Sequence, residues 1–356
     1  MLNRESNVSL RLKSKINLSI IRKNYSPDKL AIGLAGNNMT SFKSSTAASN
    51  ATPSSEKANE GDLYQFPEPV LLFDNRDVSE QMVQQIQSRL LASPSDQLYQ
   101  LLLDVYRRTG ELARAEELVR RWLEFSPENK LAAYQEKIFT QKMLIPGIYK
   151  QSEIQPAPFA IFDKFLEVSE RKYFWERALG SSNEFKSSGI SYGDGERVEY
   201  QYQNRNSEVL FLESQEKQNI KSKILKLIDE LFERFLIPKK AIKNIEVKLT
   251  AYGEGGFFRI HQDGFFKQGN SSRFISWVYY FHASPKPYSG GDLVLFDSNC
   301  AKTNHLFSES HYTRYKPMDN QIVFFPSWFY HGVTPVKLLR PGFDSYRFAV
   351  MGHISC

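Results

Sequence analysis

After Pro238 the hydrophobic period of this chain changes from 3.6 residues to 2. Ile245, Val247, Leu249 and Ala251 alternate with Glu246, Lys248 and Thr250, the pattern of a strand with one buried face. Further strand-like segments follow at Phe257–Asp263, Phe274–His282, Leu293–Phe296, Tyr312–Lys316, Ile322–Phe325, His331–Val336 and Tyr346–Ile354. Eight antiparallel strands in about 110 residues, separated by Gly, Pro and Asn turns, argue for a jelly-roll or cupin-like double-stranded β-helix. The mouth of such a barrel can hold a metal.

A metal site is what the second strand suggests. Extended chain puts residues i and i+2 on one face, so within Phe257–Asp263 the side chains of His261 and Asp263 project together and Gln262 turns away. The best third ligand is His331, on another hydrophobic strand-like segment. Two histidines and one carboxylate with positions left open make the facial triad of non-haem Fe(II) oxygenases. The remaining histidines, His282, His305, His311 and His353, have no acidic residue two positions on and read as surface or satisfied core side chains. Of these, His311 stands on a loop from which it could approach a substrate.

Upstream of Pro238 the pattern is helical. Apolar residues recur at helical spacing over 78–92, 96–108, 112–125 and 130–143, and again over 215–236, where Ile220, Ile224, Leu227, Ile228, Leu231 and Phe235 form a packing stripe. Counting from Asp96, the residues Tyr99, Leu102, Tyr106, Gly110, Ala115 and Pro127 fall where a tetratricopeptide repeat places its packing aromatic, turn glycine, small residue and terminal proline. Leu103 departs from that template, which has a small residue there. Pro146-Gly147 and Pro156-Ala157-Pro158 mark the boundary to the strand-rich part.

Charge narrows the function classes. Residues 1–60 hold nine Lys/Arg against four Asp/Glu, so this Ser/Asn-rich tail carries most of the formal net charge of +6. The rest is nearly neutral, and a nucleic-acid groove on it is not expected. The tail reads as disordered; its basic, acid-poor start also has the character of an organellar transit peptide. Two cysteines, Cys300 and Cys356, are too few for a disulfide framework and fit a cytoplasmic protein. No apolar run is long enough to span a bilayer.

The segments Tyr252 to His261-x-Asp263, Val278-Tyr279-Tyr280-Phe281, Gly290-Gly291-Asp292-Leu293, Asn320 to Ser327, His331-x-Val333-x-Pro335-Val336 and Arg347-Phe348-Ala349-Val350 resemble, in order and spacing, the Fe(II)/2-oxoglutarate dioxygenases of the prolyl 4-hydroxylase type. The resemblance covers roughly residues 155 to 354. It implies Fe(II) on His261, Asp263 and His331, with 2-oxoglutarate and O2 as co-substrates and ascorbate as a candidate reductant. It implies Arg347 as the partner of the distal carboxylate of 2-oxoglutarate, a role for which a planar two-donor guanidinium is suited. Arg340 sits nearer the usual spacing but beside Pro341-Gly342, in a loop. Tyr280 resembles the tyrosine that bonds the same carboxylate, and Tyr252 the one near the other end of the co-substrate. No catalytic residue beyond the metal ligands is implied.

The expected organisation is therefore α+β: a basic tail (1–60), a tetratricopeptide-like helical unit (61–148) and a double-stranded β-helix dioxygenase domain (149–356). The expected activity is hydroxylation of a C–H bond in a peptide or protein residue, because collagen-type prolyl hydroxylases also carry such a helical unit. A free amino acid or natural-product intermediate is the alternative substrate, with the helices then serving dimerisation or a protein partner. The segment 190–207, with Tyr192, Tyr202 and Arg205, reads as a hairpin over the mouth that contacts substrate.

Overall fold

The computed structural model describes residues 76–192, 197–199, 204–264, 273–300 and 306–356. The basic tail, Tyr202 and His305 lie outside the described residues.

Four helices open the described chain: α1 (Arg76–Ala92), α2 (Asp96–Thr109), α3 (Leu112–Phe125) and α4 (Lys130–Phe139). Ser95 caps α2 by accepting the Leu98 N–H, and Gly110 ends it in the left-handed region at φ 71°. Asn129 caps α4 through the Ala132 N–H. Helix α4 stops at Phe139 rather than running on to Met143, because Gln141 adopts φ 59° and breaks the helical path. Leu103, Ala115, Val119 and Trp122 are fully or almost fully buried between the helices. Leu103 is thus accommodated as a core residue where the repeat template has a small one.

The strands form two large antiparallel sheets. In the larger, the order among described residues is β1 (Ala160–Asp163), β14 (Gln321–Pro326), β10 (Arg273–Phe281), β17 (Arg347–Ser355), β8 (Lys248–Tyr252), β6 (Glu208–Leu210) and β2 (Lys186–Ser187), with β7 (Asn244–Ile245) pairing the end of β17. In the smaller it is β13 (Phe307–Tyr315), β12 (Leu293–Ser298), β15 (His331–Val333), β9 (Phe257–His261) and β5 (Arg205–Asn206). Two two-stranded pairs stand apart: β3 (Ile190–Tyr192) with β4 (Arg197–Glu199), and β11 (Tyr288–Gly290) with β16 (Val336–Leu338). From β8 to β17 the chain passes back and forth between the large sheets, which is jelly-roll connectivity. The expected strand His331–Val336 is split into β15 and β16 at Thr334-Pro335, where proline removes a ladder donor.

The larger sheet is buried on both faces, and residue parity decides which face each side chain serves. Trp277, Tyr279 and Phe281 on β10 pack with Phe348 of β17 against α5 (Val168–Gly180) and α6 (Ser214–Arg234), which contribute Phe174, Ala178, Ile220, Ile224 and Leu231. Ser276, Val278 and Tyr280, one residue out of phase, face the opposite way and line the cavity between the sheets. No helix of the described residues is long and apolar enough to cross a membrane.

The N-terminal helices share a core with the barrel. One hydrophobic cluster runs from Leu102, Val119 and Trp122 to Val278, Leu293, Tyr315 and Phe325. At its edge Arg107 of α2 inserts a guanidinium that is 2% exposed. It forms a forked pair with Asp297 of β12 and donates from Nε to Thr313 Oγ1 at 3.0 Å. Asp297 also accepts the Ala157 N–H at 3.3 Å. Removing one partner of a buried ion pair strands the other charge without water, which costs about 3–5 kcal/mol. Arg107→Ala is therefore expected to lower unfolding free energy by about that amount, measured by urea denaturation. A loss below about 1 kcal/mol, the range of an exposed pair, would contradict the buried linkage.

Candidate metal centre

His331 lies directly opposite His261 in the antiparallel pairing of β15 with β9, the arrangement that brings two side chains on one sheet face into contact. The imidazole centroids are 4.2 Å apart. Each ring is held by the carbonyl two residues before it: His261 Nδ1 to Arg259 O at 2.7 Å, and His331 Nδ1 to Phe329 O at 2.9 Å. A carbonyl accepts only, so each Nδ1 carries the proton and each Nε2 presents its lone pair to the site.

Asp263 reaches the same point by a different route from the one its spacing implies. Strand β9 ends at His261, and Asp263 sits in a bend beyond it. The bend is pinned because the N–H groups of Asp263 and Gly264 both donate to Ser327 O, at 3.1 Å each. The carboxylate then lies 3.0 Å from His331 Nε2 and 3.4 Å from His261 Nε2. One ligand atom from each of the three residues falls within 4.8 Å of the others.

Burial works against a charge on Asp263, but the neighbouring His353 and His331 hold its carboxyl well below the usual range. Burial, and next the facing His331, push His261 down and keep its ring neutral. The result is an anionic oxygen and imidazole lone pairs converging without donors of their own, an arrangement satisfied by a cation.

Across the cavity stands Arg347, 2% exposed. Its Nε donates to Gly291 O at 2.7 Å, and its guanidinium lies 4.7 Å from the Tyr252 ring centroid and 5.0 Å from that of Tyr280. The guanidinium approaches the Tyr280 hydroxyl without closing a well-formed hydrogen bond, and the buried hydroxyls of Tyr280 and Tyr288 have no partner. Unpaired buried donors beside a buried cation fit the carboxylate of a small acid. Gly291 makes room for this arrangement: a Cβ there would come within 2.6 Å of Arg347 Cδ, and its φ is 64°. Arg340, by contrast, is exposed and paired bidentately with Asp344 at 2.7 and 2.9 Å.

The other expected residues separate. Arg205 is on β5 and places its guanidinium 4.5 Å from the Phe258 ring centroid, and Phe258 stacks on His261 at 3.7 Å. The backbone of Tyr192 is in β3, while its side chain, like all of Tyr202, is outside the described residues. His311 turns to the helical side, 3.5 Å from Asp104 of α2. His353 is not a bystander: its Nδ1 is 3.5 Å from Asp263 Oδ2 and 3.3 Å from Ser276 Oγ. Parity carried a signal for it, since His353 is six residues from Arg347 on one strand and shares its face.

A jelly roll holding two histidines and a carboxylate beside an open cavity defines the class of non-haem Fe(II) oxygenases. Residues 247–355 match the 2OG-Fe(II) oxygenase superfamily. The chain is 30% identical over 252 residues to an uncharacterized PKHD-type hydroxylase of Synechocystis sp., an alignment covering 68% of this chain and 75% of the relative. The chain belongs to the 2OG-Fe(II) oxygenase superfamily and is a 2-oxoglutarate-dependent dioxygenase. Among solved structures it is similar to a Pseudomonas putida prolyl-4-hydroxylase, with TM-score 0.39 and 18% identity over 56% of this chain and 92% of that one. It is similar also to a Trichoplax adhaerens prolyl hydroxylase in complex with a hypoxia inducible factor peptide fragment, with TM-score 0.40 and 18% identity over 55% and 83%.

Gly291→Ala is expected to lose at least about 1–3 kcal/mol, the cost of a non-glycine residue held in such a conformation, with the Arg347 clash added; thermal unfolding measures it. Tyr280→Phe removes an unpaired buried hydroxyl and should leave the melting temperature of the metal-free protein unchanged or raised. A clear drop would mean that the hydroxyl is already satisfied within the protein.

Proposed function

We propose that His261, Asp263 and His331 hold Fe(II), that Arg347 pairs with the distal carboxylate of 2-oxoglutarate, and that the enzyme hydroxylates a C–H bond of a peptide or protein residue in the manner of prolyl hydroxylases. The observation that carries the metal assignment is the convergence of two imidazole lone pairs, each ring fixed from behind by a backbone carbonyl, and one carboxylate. Bound there, Fe(II) with 2-oxoglutarate and O2 supplies the oxidising chemistry, with succinate and CO2 as co-products.

The chain's own groups set the conditions for it. His261, His331 and anionic Asp263 would hold the metal and leave room beside it for co-substrate and O2. Arg347 and the Tyr280 hydroxyl orient the acid by donating to it. The Tyr252 ring lies against the guanidinium. Val278, Leu293, Phe325 and Val333 line the cavity and exclude water. We assign Arg205, whose guanidinium lies over the Phe258 ring, to positioning the substrate.

The peptide reading draws on the first helices, where we read the α2–turn–α3 pair around left-handed Gly110 as a tetratricopeptide-like unit. A second reading, hydroxylation of a free amino acid or natural-product intermediate, draws on the burial of Tyr99, Tyr106 and Tyr134, which leaves few aromatic rings on those helices to grip a chain.

Succinate release with peptide and metabolite pools, followed by mass-spectrometric detection of the product bearing one added oxygen, separates the two. Oxygen addition to peptides, proline-containing ones first, is the expected result; coupling only to metabolites would overturn the peptide reading. Asp263→Ala is expected to abolish hydroxylation. Arg347→Met is expected to raise the KM for 2-oxoglutarate about 100-fold, within the range for stripping a charge from its buried partner, and an unchanged KM would remove Arg347 from the co-substrate site.

A further inference from the structure

The carboxylate of Asp263 is held by more than its own chain segment. Ser276 of β10 donates from Oγ to Asp263 Oδ2 at 2.7 Å. That same Oγ lies 2.9 Å from Ser327 Oγ and 3.3 Å from His353 Nδ1. Ser276 and His353 are direct partners across the β10–β17 pairing, so the sheet itself fixes their juxtaposition. Ser276 has one proton and gives it to the carboxylate, so its lone pairs are left to accept from Ser327 and His353. A lone pair on His353 Nδ1 would face Asp263 Oδ2 at 3.5 Å, which selects the tautomer with the proton on Nδ1.

We propose that Ser276 and His353 are positioning residues for Asp263, forming with Ser327 a hydrogen-bonded brace that prevents the carboxylate from rotating about Cβ–Cγ and so sets its orientation toward the metal. The inference rests on Asp263 being a metal ligand, as proposed above. A bend beyond the end of a strand does not by itself fix a carboxylate, whereas the two histidines sit on paired strands. The brace supplies to Asp263 what the backbone carbonyls supply to His261 and His331. Partners behind a ligand of this kind contribute about 10–100-fold to metal affinity.

The test uses Co(II) as a spectroscopic probe, titrated into the metal-free full-length protein while ligand-field absorption is followed. Ser276→Ala is expected to weaken Co(II) binding about 10–100-fold and to change the absorption bands, while the metal-free protein still unfolds in one cooperative transition at a modestly lower temperature. Ser276→Thr, which keeps the hydroxyl, should restore both. His353→Phe, which keeps a ring but loses the donor, should weaken binding several-fold, and His353→Asn, which returns an N–H, should recover part of it. Wild-type affinity and spectrum in both Ser276→Ala and His353→Phe would overturn the brace while leaving the metal site standing. Failure of the wild-type protein itself to take up Co(II) would overturn the metal-ligand reading and the brace with it.

Discussion

The placement of His331 opposite His261 in the β15–β9 pairing is the constraint on which the site depends. Antiparallel register brings the two rings to 4.2 Å, and the carbonyls of Arg259 and Phe329 turn both Nε2 atoms to one point. A slip of one residue would send each imidazole to the other face of its strand. The register is in turn guarded by the core: β9, β12 and β13 bury Ile260, Val294, Phe296 and Tyr312 together, and Tyr330, next to β15, packs against them. The metal donors therefore inherit their precision from hydrophobic packing outside the site.

The larger sheet is used on both faces. On β10, alternate residues go to the helices α5 and α6 or to the cavity, so one strand supplies Trp277 and Tyr279 to the core and Ser276 and Tyr280 to the site. Strand β17 does the same, with Phe348 and Val350 in the core and Arg347 and His353 toward the cavity. The Arg347 end and the His261–Asp263–His331 end of the cavity are thus joined by two adjacent strands that are packed behind. The helices α1–α4 close the remaining side, through a shared apolar cluster and the Arg107–Asp297 pair.

Much of the site was legible because its cues are local. The His261-x-Asp263 spacing, the Gly290-Gly291 pair and the Arg347-Phe348-Ala349-Val350 strand can each be read within a few residues, and the last two explain one another once Gly291 is seen under the Arg347 stem. Less legible was how Asp263 arrives. Its spacing implied continued strand, but the chain bends after His261 because Ser327, some sixty residues on, captures two consecutive N–H groups. The surroundings of His353, a buried and bonded side chain as its sequence context allowed, were less legible for a related reason. A histidine with no acidic neighbour in sequence has one in space, Asp263 at 3.5 Å, beside its cross-strand partner Ser276.

The sequence by itself determined the class: period-2 segments after Pro238 and the His261-x-Asp263 spacing specify a strand-rich barrel with a metal site, and the order of the motifs around them resembles the Fe(II)/2-oxoglutarate dioxygenases. Those features are fixed by side-chain periodicity and chemical type, which are properties of short stretches. Only the tertiary structure decided which strands are neighbours, and with that the bend at Asp263, the Ser276–Ser327–His353 contacts behind it and the unpaired hydroxyls beside Arg347. Such contacts join residues far apart in sequence, and their hydrogen-bond geometry follows from sheet order and register, which no local window encodes.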